Sequence, residues 1–365
     1  MRTGLIGAGN ISDQYLTHLA GYPDVEVVAV GDIDVERAKA QAEKYGVPDA
    51  GTTEDVLAHP DVELIVNLTV PTAHADVDLM ALEAGKHIWS EKPLATSLEA
   101  ARGVLDLATR KGLRVGCAPD TVLGPGIQTT LRLVREGIGG AVTGLAVMQN
   151  RGPDLWHPSI EFFYGPGGGP VLDIGPYYLT SLVLGLGPVT SVTATGGRAR
   201  LERTVHAGPR QGSVFPVEVP THAEALLTHA SGATSTAIFS FDSSRTRRVL
   251  EFGGVDATIE ASDPNTFGGR VTRHGAPVVR GEEIVEVVDV DPAGAGRGIG
   301  VVDMARSIAA GTPHRATGEL AYHVLEIMLA INRAIDAGGT LGIDSTVAPV
   351  DLLPEGWSPT GSLVG

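Results

Sequence analysis

Leu5-Ile6-Gly7-Ala8-Gly9-Asn10-Ile11-Ser12 decides the fold. Two apolar residues end a predicted strand, and two glycines turn the chain into the start of a helix. The first glycine of such a turn allows a tight bend. The second lets a pyrophosphate approach the backbone at a helix N-terminus, where free N–H groups attract anions. Ser12 stands where a third glycine is usual; that position serves close helix–strand packing, and serine is small. Gly7, Gly9, Asn10 and Ile11 are therefore candidate dinucleotide contacts. The next predicted strand, Val25–Val30, leads to Asp32, about 20 residues past the turn, where a carboxylate accepts hydrogen bonds from ribose hydroxyls. Asp34 competes for that role, but it sits where a helix N-cap is expected. Ile33 follows Asp32 in place of an arginine. A 2′-phosphate would meet a carboxylate with no adjacent cation, so NAD is expected and NADP disfavoured; Arg37 weakens that preference slightly.

Strands and helices alternate up to residue 118. Predicted helices at 11–20, 35–45, 73–84 and 97–110 separate predicted strands at 5–6, 25–30, 64–66, 87–89 and 113–115. This is the pattern of βαβ units on a parallel sheet. After Pro119 one helix, 126–136, precedes runs of period-two character at 142–148, 189–195, 223–228, 233–239, 247–252 and 255–259, with late helices near 299–310 and 318–337. Residues 198–221 read as a long loop or arm. The expected fold is α/β, a Rossmann domain over residues 1–118 joined to an α+β domain over 119–365 with a large, mainly antiparallel open sheet. At 365 residues, two domains are the natural division.

Composition narrows the function. A formal net charge of −16 argues against nucleic-acid binding. The single cysteine, Cys117, excludes an intramolecular disulfide framework and cysteine-rich metal sites, and the eleven histidines show no ligand spacing, so no metal is expected. No signal peptide or membrane span is legible, and the expected location is cytoplasmic. All five lysines lie in the first third, the last being Lys111.

Among them, Lys92 belongs to Glu91-Lys92-Pro93, just past the predicted strand at 87–89 and so at a carboxyl end, where open α/β sheets bind ligands. Thr69-Val70-Pro71-Thr72-Ala73-His74 follows the preceding strand. Downstream, Gly167-Gly168-Gly169-Pro170-Val171-Leu172-Asp173-Ile174-Gly175-Pro176-Tyr177 leads into a helix. Together these motifs resemble the Gfo/Idh/MocA family of NAD(P)-dependent sugar and polyol oxidoreductases, over essentially the whole chain. The resemblance implies that Lys92 reaches nicotinamide and substrate hydroxyl, with a cis Lys92–Pro93 peptide. It also implies that Glu91 lies by the nicotinamide ribose and that Thr69, Pro71 and His74 line the cofactor groove. Asp173 and Tyr177, at i and i+4, share a helix face.

The chain departs from the family pattern twice. Most members carry histidine where Tyr177 stands; the glucose–fructose oxidoreductase branch resembles this chain in its tyrosine. An aromatic-Asn-Arg-type run is replaced by Cys117-Ala118-Pro119-Asp120. Asp120 is a candidate substrate contact, with helix capping as its alternative.

Oxidising a secondary alcohol removes a hydride from carbon and a proton from oxygen. A free phenol or a free ammonium, with pKa about 10 and 10.4, gives a poor base, and a lysine cation beside a phenol stabilises the phenolate. Tyr177 is the expected proton acceptor, Lys92 its electrostatic and relay partner, and Asp173 the orienter of a sugar hydroxyl; Lys92 as direct base is the alternative. Trp156-His157-Pro158 and Phe162-Phe163-Tyr164, before the glycine run, offer an aromatic platform, making Trp156 and His157 candidate substrate contacts. Arg245, Arg247 and Arg248 form a basic cluster that reads either as an anion site or as a solvated strand edge. The same residues serve net oxidation of a sugar, glycoside or cyclitol, or glycoside cleavage through transient oxidation. A non-catalytic NAD-bound sensor is the third reading. Apolar residues such as Leu145, Val147, Leu226 and Ile238 on a sheet face without helices predict a homodimer, or a tetramer of such dimers, through that face.

Overall fold

The computed structural model describes residues 1–157, 161–275 and 284–361. They form two compact units: Met1–Gln128 with Asp291–Tyr322 and the chain from Val350 onward, and Thr129–Val290 with His323–Pro349. A division at residue 118 places everything after it in one domain; the packed units return two later segments to the first.

The first unit begins β1 (Arg2–Ile6), α1 (Asn10–Leu19), β2 (Glu26–Gly31), α2 (Val35–Tyr45), β3 (Asp49–Gly51), α3 (Thr53–Ala58), β4 (Leu64–Asn67), α4 (His74–Glu83), β5 (His87–Ser90), α5 (Leu98–Lys111) and β6 (Val115–Cys117). Its six strands are parallel in the order β3-β2-β1-β4-β5-β6. The order in which strands are added to the sheet reverses between β1 and β4, so the loops after those two strands flank a crevice at the carboxyl edge, the place where such sheets take ligands. The central strands are buried on both faces: Leu64, Ile65 and Val66 have no exposed surface, as helices covering both faces demand. Caps fix the helix starts. Asp34 accepts the Arg37 amide at α2 and Ser97 the Ala100 amide at α5, while Thr52 and Asp55 form a reciprocal capping box at α3.

The second unit takes up α6 (Pro125–Gly137) after its first turn, then β7 (Ala141–Gln149), α7 (Glu161–Tyr164), α8 (Pro170–Leu186), β8 (Val189–Gly197), β9 (Glu202–Thr204), β10 (Val214–Pro216), β11 (His222–His229), β12 (Thr234–Ser240), β13 (Arg247–Gly254), β14 (Ala257–Glu260), β15 (Gly269–Gly275) and β16 (Ile284–Val290). Then follow α9 (Ile299–Ala310), in the first unit, α10 (Gly318–Ala337) and β17 (Thr340–Gly342). Among the described residues nine strands form one sheet, β16-β15-β14-β13-β7-β12-β11-β8-β17, antiparallel except for the β7–β12 pair.

Helix α8 covers one face of this sheet, with Leu182 and Leu186 against Gly144 of β7. The alternation follows: Ala223, Ala225 and Leu227 of β11 are buried, while Glu224, Leu226 and Thr228 point the other way and Leu226 is 62% exposed. Leu145 and Ile238 share that second face through the β7–β12–β11 register.

Four points of the sequence reading are corrected. Residues 198–221 are not simply a loop, because β9 and β10 pair as a two-stranded ribbon. Sequence reading misses β3 and α3, which are short and polar, and the sheet extends through β15 and β16 beyond the last predicted strand. The strand expected at 113–115 lies two residues later.

Candidate active site

The carboxyl edge of the first sheet gathers the predicted cofactor residues. Gly7 has φ +102°, and a Cβ there would sit 2.6 Å from the Leu68 carbonyl carbon, so only glycine passes. A Cβ on Gly9 would meet nothing within 4 Å, and no side chain caps the N-terminus of α1 at Gly9. That open cradle over Asn10 and Ile11 fits a diphosphate. Ser12 is fully buried and its hydroxyl donates to the Gly9 carbonyl over 2.6 Å, so the departure from glycine is absorbed.

Asp32 sits at the end of β2, largely buried. Its Oδ2 accepts the Ala8 amide at 2.7 Å, and its Oδ1 accepts the Asp34 amide at 2.8 Å and the Arg37 guanidinium at 3.0 Å. Asp32 thus ties the glycine turn to the second strand, Asp34 is the helix cap, and Ile33 is 94% exposed.

On the loop after β4, Thr69 donates both its amide, at 3.1 Å, and its hydroxyl, at 2.7 Å, to the Asn67 side-chain oxygen. Pro71 opens a short helical turn leading to His74, whose buried ring joins two loops. Nδ1 faces the Pro93 carbonyl at 2.7 Å and Nε2 the Thr69 carbonyl at 3.0 Å. Burial pulls the His74 pKa down, while both carbonyls pull it up.

Beyond β5, the Lys92–Pro93 peptide is cis. Glu91 is buried and held from two sides: Tyr15 of α1 donates its hydroxyl to Oε1 at 2.8 Å, and the Lys92 amide donates to Oε2 at 3.0 Å. Trp89 Nε1 in turn donates to the Tyr15 oxygen at 3.2 Å. The backbone carrying Lys92 is thereby fixed to the helix that starts at the glycine turn.

The structure places Asp120, the candidate substrate contact, beside the start of α9. It is fully buried, and its carboxylate accepts the Gly298 amide at 2.7 Å and faces Arg297 at 3.4 Å. Its surroundings are the N-terminus of α9, so it is the capping alternative that the structure realises.

In the second unit Asp173 and Tyr177 lie one turn apart on α8, Asp173 partly exposed and Tyr177 5% exposed. Pro170 starts this helix, and a Cβ on Gly168 would sit 2.2 Å from the Phe162 carbonyl, so the glycine run lets the aromatic segment pack beneath it. Trp156 is 64% exposed and meets the His157 ring edge-on at 5.4 Å; His157 meets Phe163 in the same way at 5.2 Å. Pro158 lies outside the described residues. Arg245, Arg247 and Arg248 are exposed, and Arg248 pairs with Asp263 at 3.3 Å.

Sequence reading missed four residues that hold these positions: Tyr15, Asn67, Asp78 and Arg203. Arg203, on the β9 ribbon, is buried between Asp154 and Asp242, and Tyr164 donates to Asp154 in the same cluster. Removing one partner of such a buried ionic cluster costs about 3–5 kcal/mol, so the ribbon anchors the aromatic loop. An arginine inside a segment that reads as loop gives no sign of this burial.

Among the described residues no group of histidine, cysteine, aspartate or glutamate could hold a metal ion, and no helix is long and apolar enough to cross a membrane.

Residues 1–118 match the model of the oxidoreductase family with NAD-binding Rossmann fold, and residues 127–260 match the C-terminal domain of the same GFO/IDH/MocA family. The chain belongs to the Gfo/Idh/MocA oxidoreductase family, and its first domain is an NAD-binding Rossmann domain. Similar curated proteins include trans-1,2-dihydrobenzene-1,2-diol dehydrogenase of Bos taurus, 32% identical over 203 residues, which cover 54% of this chain and 60% of that one. D-glucoside 3-dehydrogenase of Escherichia coli (strain K12) is 35% identical over 219 residues, covering 53% and 57%. The aligned part is thus less than two thirds of either relative. A solved structure of levoglucosan dehydrogenase in complex with NADH and L-sorbose superposes with a TM-score of 0.84 at 20% identity, covering 94% of this chain and 99% of that one. At that identity the likeness is one of fold.

Proposed function

We propose that the protein is an NAD-dependent dehydrogenase acting on a secondary hydroxyl of a sugar, glycoside or cyclitol. The observation that carries this reading is the Glu91-Lys92-Pro93 segment at the carboxyl end of β5, anchored through Glu91 and Tyr15 to the helix that begins at the open glycine cradle. A lysine held there supports a ligand site over a solvated surface. The names of the curated relatives, dehydrogenases of a diol and a glucoside, agree with the substrate class.

Bound NAD supplies the hydride acceptor. The chain's own residues handle the proton and the orientation. Tyr177 takes the proton from the substrate hydroxyl, Lys92 stabilises the developing charge on oxygen, and Asp173 orients a neighbouring hydroxyl. Gly7, Gly9, Asn10 and Ile11 hold the diphosphate, Asp32 the adenosine ribose, and Thr69, Pro71, His74 and Glu91 the nicotinamide side. Trp156 and His157 offer an aromatic edge to the sugar. Asp32 beside Ile33 favours NAD over NADP, with Arg37 already engaged by the Asp32 carboxylate.

The sheet face opposite α8, on which Leu226 is 62% exposed, Leu145 and Ile238 are partly exposed and Val147 is buried, supports a homodimer, or a tetramer of dimers, through that face. A panel of sugars, glycosides and cyclitols incubated with NAD, followed both at the NADH absorbance band and by product analysis, tests the reading. NADH release marks net oxidation; glycoside cleavage without it marks the transient-oxidation variant.

A further inference from the structure

Beneath the loop after β4 lies a buried polar cluster that the proposed chemistry does not use. Asp78 of α4, Asn67 at the end of β4 and Ser90 at the end of β5 all have no exposed surface. The Asn67 side-chain nitrogen donates to Asp78 Oδ1 at 2.8 Å and to the His74 carbonyl at 3.0 Å. Its oxygen accepts both the amide and the hydroxyl of Thr69. An amide has one acceptor end and one donor end, and a 180° flip exchanges them. With two acceptors, Asp78 and the His74 carbonyl, on one side and two donors from Thr69 on the other, one orientation satisfies all four contacts. Flipping it would put the Asn67 oxygen against a carboxyl oxygen and its NH₂ against the Thr69 amide.

We propose that Asp78 is a positioning residue: through Asn67 it locks the loop Thr69–His74, and so shapes the wall of the groove that takes the cofactor. The second half rests on the reading of that groove given above. The first half does not. Asp78 is four residues beyond His74 on α4, one helical turn, and the His74 ring bridges the Thr69 and Pro93 carbonyls. The lock therefore extends from Asp78 through Asn67 and Thr69 to the loop carrying Lys92. The carboxyl needs only one acceptor oxygen for this task. Asp78→Asn keeps such an oxygen, whereas Asp78→Ala removes it and leaves the Asn67 nitrogen short of a buried partner.

The test uses the full-length protein and two readouts. In the protein without added cofactor, amide exchange in the peptide containing Thr69 reports the lock. Asp78→Ala should speed it about tenfold, and Asp78→Asn should leave it within about twofold of wild type. NADH affinity, read by tryptophan fluorescence quenching, should follow the same order. Unchanged exchange in Asp78→Ala, or exchange in Asp78→Asn as fast as in Asp78→Ala, overturns the proposal. Should Asp78→Ala fail to fold, Asp78→Ser, whose hydroxyl is too short to reach Asn67, is read against the same criterion. Altered exchange with NADH binding unchanged keeps the lock and removes its link to the cofactor groove; a wild type that binds no NADH overturns the cofactor reading instead.

Discussion

The Tyr15 hydroxyl donates to the Glu91 carboxylate across 2.8 Å, joining the first helix of the dinucleotide unit to the segment that carries Lys92. Both residues are buried, so neither is replaced by water without cost. Tyr15→Phe removes this donor and the acceptor of Trp89 Nε1. We expect a loss of about 1–3 kcal/mol in stability by denaturant unfolding, together with weaker NADH binding. A variant as stable as wild type would show that the bond carries neither stability nor the placement of Glu91.

In the proposed reading Asp32 sets the preference for NAD over NADP. Asp32→Ala removes the carboxylate that would repel a 2′-phosphate and frees the Arg37 guanidinium bonded to it. The ratio of NADPH to NADH dissociation constants should fall by about tenfold or more, as expected when a charge–charge contact at short range is lost. Tighter binding of NADPH than NADH by the wild type would contradict the assignment.

Asp78 makes stability depend on pH in a defined direction. Burial raises its carboxyl to about 7, with Asn67 and Ser90 pulling the other way. The folded protein therefore holds a proton that the unfolded chain releases near pH 3.8. The stability this group contributes is fully present below that lower value and is lost as pH rises through about 7. Histidines such as His74, His229 and His323 have lowered pKa values and contribute in the opposite sense, so the wild-type profile alone is ambiguous. The buried Cys117 thiol is pushed up and stays protonated across this range. The difference between Asp78→Asn and wild type isolates the carboxyl: the variant should gain relative thermal stability between pH 5 and pH 8. A constant difference in Tm across that range would contradict it.

The legible part of this molecule was the part with strong local signals. Gly7 and Gly9 between a strand and a helix, Asp34 and Ser97 at helix starts, and the apolar run through β4 all declare themselves without tertiary information. What stayed hidden depends on packing. Asp78 sits on a helix whose polar residues read as surface, and Asp120 and Arg203 lie in segments that read as turns. Only the fold shows each of these charges to be buried against a specific partner. The β3 strand and α3 helix were too short to show periodicity, and β15 carries arginine, histidine and glycine where an apolar alternation would have marked a strand.

The proposed assembly would use the sheet face opposite α8. Leu226, at 62% exposed, stands on that face with Leu145 and Ile238, among threonines. Light scattering at micromolar protein should return a multiple of the 37.8 kDa chain mass, and Leu226→Lys should shift it toward the monomer. A stable monomer mass for the wild type would contradict the interface.

The proposed dehydrogenase activity is tested by the initial rate of NADH formation with the best substrate of the sugar and glycoside panel, measured for wild type, Lys92→Ala and Tyr177→Phe alongside NADH affinity. Turnover is expected in the wild type and a loss of about a hundredfold or more in Lys92→Ala, with NADH affinity nearly unchanged, because the role proposed for Lys92 lies in the transition state. Tyr177→Phe should lose rate strongly and change its pH profile; near-normal activity there would move the proton acceptor to Lys92. A wild type that binds NADH yet turns over no member of the panel, or a Lys92→Ala variant as active as wild type, would contradict the dehydrogenase assignment.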